Sequence, residues 1–97
     1  MYRALGGGEA DVISAFSSDG RISADRLVVL SEPKAALPPY DAVILISPKR
    51  ANDRRLLEAL GPLVGAVSVE AMRAANYSVD RDADKRSPAE AAAGLER

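Results

Sequence analysis

Cysteine and histidine are both absent from the 97-residue sequence. Without cysteine there is no disulfide framework and no thiol chemistry. Without either residue, the usual zinc ligand sets and the Ser-His-Asp and Cys-His arrangements of nucleophilic catalysis are excluded. Aromatic side chains make up only 4% of the chain, so large core-filling rings are scarce. Neither sign of charge dominates: thirteen basic and fourteen acidic residues give a formal net charge of −1. A dedicated nucleic-acid surface carries a clustered basic excess, which this balance argues against. Long hydrophobic runs are missing too. The longest, Ala42 to Ile46, falls far short of the ~20 residues of a membrane-spanning helix.

The residues present suit one small domain over 1–97. The hydrophobic share is 47%, much of it alanine, and a chain of this length buries a modest fraction of its surface. Met1-Tyr-Arg-Ala-Leu5 has no apolar h-region behind it and so carries no secretory signal. That leaves a cytoplasmic protein or an N-terminus that is not the natural one. Tyr2-Arg-Ala-Leu5 reads as the last turn of a helix, stopped by Gly6-Gly-Gly8 as a left-handed cap. No capping residue precedes it, so Met1 is expected to be a truncation start. The three glycines do not form a phosphate loop, since no Lys-Ser/Thr follows.

Strands and hinge-like turns are expected over about 10–47. Asp11 to Ser17 holds Val12, Ile13, Ala15 and Phe16 and reads as a buried strand. Ser17-Ser-Asp-Gly20 is a turn signal, with Asp19 bonding its own loop. Arg26 to Leu30 is a second short strand, broken by Ser31-Glu-Pro-Lys34. Leu37-Pro-Pro-Tyr40 is stiff, because each proline fixes φ and removes a donor. Ala42 to Ile46 is the strongest strand, suited to the centre of a sheet covered on both faces.

Helices are expected over about 52–96. Asn52 serves as N-cap of the first, with Asp53 in its first turn. Its apolar face is Leu56, Leu57, Leu60, Leu63 and Val64, and Pro62 interrupts its end. Ser68 caps a second helix with Met72, Ala75 and Tyr77 facing inward. Asp80 to Arg86 is a charged connector. Ser87-Pro-Ala-Glu90 fits a capping box with proline at the first helical position, opening a last helix to about Glu96.

The run Tyr2-Arg-Ala-Leu-Gly-Gly-Gly-Glu-Ala-Asp-Val-Ile-Ser-Ala-Phe-Ser-Ser-Asp-Gly-Arg-Ile22 resembles a segment of the osmoprotectant-binding proteins of ABC importers. Leu27-Val-Val-Leu30, Pro38-Pro-Tyr-Asp-Ala42, Met72 with Asn76-Tyr-Ser-Val-Asp80, and Ser87-Pro-Ala-Glu90 follow in that family's order. The chain is similar to the C-terminal part of a longer, two-lobed protein. The resemblance implies an α/β fragment of a type II periplasmic-binding-protein fold, a short sheet with C-terminal helices. It implies a non-enzymatic role with no cofactor and no metal. The ligand would be a quaternary ammonium compound such as glycine betaine, choline or carnitine, and the partner an ABC permease subunit or fused permease domain. The parent protein would be periplasmic, or membrane-associated on the extracytoplasmic side.

By the same resemblance, Phe16 and Tyr40 occupy the positions of two walls of an aromatic cage around the ammonium, with Ser18 and Asp19 beside them. Phe16 stands where the family usually has tyrosine, and Ser18 where it has threonine. A quaternary ammonium gains roughly 0.5–2 kcal/mol per ring face, so several rings are needed. The plainer readings are that Phe16 is a core residue and Tyr40 partly exposed packing. Two other functions stay open: a self-associating structural or interaction domain, and a ligand-sensing domain of a regulator. Uncovered strand edges would drive the isolated chain to a homodimer.

Overall fold

The computed structural model describes residues 1–95. Five α-helices occur among them: α1 (Tyr2–Gly6), α2 (Gly20–Ala24), α3 (Arg54–Leu60), α4 (Val69–Asp80) and α5 (Pro88–Ala93). Short 3-10 turns lie at Pro48–Arg50 and Gly61–Leu63. The chain forms two compact units, Met1–Ser31 with Val69–Arg97, and Glu32–Ser68. No helix among the described residues is long and apolar enough to cross a membrane.

In the first unit, α4 is the central element, with α2 packed on it and α5 also against it. Nearly every residue from Ala71 to Val79 is half-buried, including Met72, Ala75 and Tyr77 as expected; Ala74 is exposed. Ile22 of α2 and Ala91 of α5 are the buried apolar side chains, at 6% and 8% exposure. The capping box at Ser87 forms as its sequence indicates. The Ser87 hydroxyl accepts from Glu90 N–H, and the Glu90 carboxylate accepts from Ser87 N–H. Those bonds to Ser87 hold the Glu90 carboxyl below the ordinary glutamate range. This helix ends at Ala93 with Gly94 as its C-cap, short of the expected end near Glu96, a residue outside the described ones.

The helix α2 is a correction to the sequence reading, which places only a turn before a strand. Its glycine start and five-residue length give it little intrinsic stability. What holds it is tertiary contact with α4 and a Schellman ending. Leu27 N–H bonds Ile22 C=O at 2.8 Å, and Arg26 N–H bonds Ser23 C=O at 3.2 Å. Arg26 takes φ 52 to make that turn, a left-handed conformation usually filled by glycine. At α1 the left-handed stop falls within Gly6-Gly-Gly8 as read. Gly7 is the helical C-cap and Gly8, at φ 77, carries the left-handed step.

No strand forms among the described residues. The three segments expected to be strands, Asp11–Ser17, Arg26–Leu30 and Ala42–Ile46, carry no sheet pairing, so the short sheet is not seen. Their apolar side chains stay largely in solvent, Leu45 at 89% exposure. The physical reason is that a strand's backbone donors and acceptors point sideways and are satisfied only by a neighbouring strand. β-Branched composition favours an extended chain without supplying that neighbour.

In the second unit, Ala35 at φ 48 turns the chain, and Leu37 N–H donates to the Glu32 carboxylate at 3.3 Å. The N-cap of α3 is Asp53 rather than Asn52. Its Oδ1 accepts from Leu56 N–H at 3.2 Å, and its Oδ2 pairs with Arg50 at 2.6 Å. Leu56 and Leu60, four residues apart on one helix face, are half-buried, while Leu57, Leu63 and Val64 are exposed.

Candidate functional site

The turn from Phe16 to Asp19 joins an irregular segment to α2, and its backbone is held at almost every position. Asp19 N–H closes the turn on Phe16 C=O at 3.0 Å. The Asp19 carboxylate accepts from Phe16 N–H at 3.3 Å through Oδ2, and the same oxygen accepts from the Tyr2 hydroxyl at 2.6 Å. From α4, Arg73 Nε donates to Ser17 C=O at 2.7 Å, and Asn76 Nδ2 donates to Ser18 C=O at 2.8 Å. Polar side chains from α1 and α4 thus converge on three consecutive residues, Ser17 to Asp19.

Close packing beneath the turn fixes where α2 begins. A Cβ on Gly20 would lie 2.4 Å from Tyr77 N and 2.5 Å from Tyr77 Cα, so only glycine allows this approach. The Tyr77 ring also lies under the Arg21 guanidinium, 5.7 Å from the ring centre. Arg21 in turn pairs with Asp82 at 3.5 Å. The ring contact is of cation–π type, worth about 0.5–1 kcal/mol at an exposed position.

Partial burial raises the Tyr2 pKa, and the hydrogen bond to Asp19 with the charges of Asp19 and Asp25 raises it further, to about 12. An unperturbed tyrosine titrates near ~10. Between those values the folded chain keeps a proton that the unfolded chain has lost, so unfolding is favoured as pH rises. The stabilisation is fully present below the unfolded pKa and is lost through the folded one. Urea midpoints measured upward from neutral pH should therefore fall more steeply in this alkaline window for the native chain than for Tyr2→Phe. Parallel slopes would show that the Tyr2–Asp19 bond does not couple to folding.

Of the residues singled out from sequence, Phe16, Ser18 and Asp19 come together in this turn. Phe16 is 57% exposed, so within its unit it is not a core residue. Ser18 and Asp19 are half-buried, and Asp19 bonds its own loop as read from the turn signal. Tyr40 belongs to the second unit, after Pro38 and Pro39, with 79% of its surface exposed. The sequence reading gave no role in the site to Tyr2, Gly20, Arg73 or Asn76. The available signal was the i, i+3 spacing of Arg73 and Asn76, which puts two donors on one side of α4.

The chain matches, over residues 1–94, the family OpuAC, described as the substrate binding domain of ABC-type glycine betaine transport system. The chain belongs to this family. OpuAC domains are transport substrate-binding proteins rather than enzymes, and membership implies the type II periplasmic-binding fold. Among curated proteins, the carnitine transport binding protein OpuCC of Listeria monocytogenes serotype 1/2a (strain 10403S) is 35% identical over 81 residues. A second OpuCC from Listeria monocytogenes matches to the same extent. Each alignment covers 82% of this chain and 26% of the relative. The OpuAC segment here thus spans about a quarter of the length of the curated relatives it matches. No solved structure matches the chain significantly.

Proposed function

We propose that this chain is part of the substrate-binding component of an ABC importer for quaternary ammonium osmoprotectants. In the complete protein, Phe16 and Tyr40 each offer a ring face to the ligand's ammonium. Ser18 lies beside the first ring, and Asp19 serves it by holding the turn. The observation that carries this reading is the family match over residues 1–94. Both rings are largely exposed within this chain, which is compatible with ring faces presented to a cation. Desolvation and cation–π attraction would select the cation, and closure of two lobes would retain it for an ABC permease on the extracytoplasmic side. The unpaired segments Arg26–Leu30 and Ala42–Ile46 become strands when the remainder of the lobe supplies their neighbours.

Two rings contribute about 1–4 kcal/mol, against roughly 8 kcal/mol for micromolar affinity. Calorimetry is therefore expected to show micromolar or tighter binding of glycine betaine, choline or carnitine by the full-length protein. The 97-residue chain alone should bind these ligands more weakly. Full-length protein that binds none of the three would remove this function. Micromolar binding by the isolated chain would remove the claim that further cage walls lie outside it.

We also infer that the isolated chain self-associates as a homodimer through its uncovered segments, of which Val28–Leu30 and Val43–Leu45 are exposed. Apolar runs without a partner favour pairing with a second copy. Sedimentation at micromolar concentration should show a dimer. One monomeric species that unfolds cooperatively would overturn this.

A further inference from the structure

Phe16 combines two features that ordinary packing does not require together. Its ring is 57% exposed, yet its backbone N–H is bonded to Asp19 Oδ2 and its C=O to Asp19 N–H. The next two carbonyls are taken by Arg73 and Asn76. These donors stand three residues apart on α4, hence about one turn apart on one face, and they grip consecutive peptide units. A loop needing only solubility would leave such carbonyls to water. Here α4 determines where the loop backbone lies, and the loop backbone determines where the exposed ring stands.

We propose that Arg73 and Asn76 are positioning residues that hold the Phe16 ring in its binding position before the cation arrives. Neither needs to touch the ligand. The inference rests on the reading of Phe16 as a cage wall, and it adds the device that keeps that wall in place. A ring already held loses less freedom on binding, so affinity rises without a new contact. The structural basis is the placement of a site side chain by a second set of hydrogen bonds from a helix.

The test is a double-mutant cycle in the full-length protein, read by calorimetry with glycine betaine, choline and carnitine as probes. Asn76→Ala is expected to weaken binding roughly five- to tenfold, the factor associated with one lost hydrogen bond. In a Phe16→Ala background the same substitution should change affinity little, because the ring it positions is gone. Arg73→Met keeps the apolar stem without the donor and should behave likewise, and Asn76→Asp removes the donor with almost no change of shape. Urea midpoints of the unliganded variants identify any that fail to fold. Losses that simply add to that of Phe16→Ala would overturn the proposal, since they would mark a role independent of the ring. Full affinity in Asn76→Ala and Arg73→Met, beside a loss in Phe16→Ala, would overturn positioning and leave the cage reading standing. Full affinity in Phe16→Ala would overturn the cage reading, and this inference with it.

Discussion

Gly20→Ala is expected to destabilise the first unit by about 3 kcal/mol or more, the upper range for forcing extra volume into a packed contact. The added Cβ would meet Tyr77 N, Cα and Cβ at 2.4, 2.5 and 2.6 Å. Two of those atoms are backbone, so no rotamer change relieves the clash, and α2 must move away from α4. That movement also pulls the Phe16–Asp19 turn off the donors of Arg73 and Asn76. Gly6→Ala is the control, since a Cβ there meets nothing within 4 Å and the residue is helical. It should be neutral or stabilising by about 0.5–1 kcal/mol. Urea unfolding followed by far-ultraviolet circular dichroism separates the two. A Gly20→Ala midpoint equal to that of the native chain would show that α2 does not pack as closely as described.

Phe16→Ala and Tyr40→Ala in the full-length protein are expected to weaken quaternary ammonium binding by about tenfold or more each, as a desolvated ring face contributes up to ~2 kcal/mol. The chemistry of the loss is tested by two further substitutions. Tyr40→Phe keeps the ring face and should retain most of the affinity. Phe16→Leu keeps apolar bulk without the ring's quadrupole and should lose nearly as much as alanine. Calorimetry with glycine betaine, choline and carnitine reads all four variants. Unchanged affinity in Tyr40→Ala would take Tyr40 out of the site. Full affinity in Phe16→Leu would replace cation–π attraction with simple apolar contact.

What the sequence determined by itself was largely local. The capping box at Ser87, the inward residues of α4 and the turn held by Asp19 follow from side-chain bonds and periodicities only a few residues long. Gly20, read as the positive-φ residue of that turn, opens α2 instead. The capping error of one residue at Asn52 and Asp53 is of the same local kind, because either side chain can accept the orphan N–H groups. Family membership was legible because phrases such as Ser17-Ser-Asp-Gly-Arg-Ile22 and Pro38-Pro-Tyr-Asp-Ala42 are specific as strings.

Tertiary structure decided the rest. A five-residue helix at Gly20 exists because Tyr77, 57 positions along, leaves room only for a glycine, and no local propensity encodes that meeting. Tyr2, Arg73 and Asn76 reach one turn from remote parts of the chain, so their hydrogen bonds have no signature in its own sequence. The segment Ala42–Ile46 shows the converse. Its β-branched pattern is strong, but a strand is completed by a neighbour's backbone, and composition alone does not provide one.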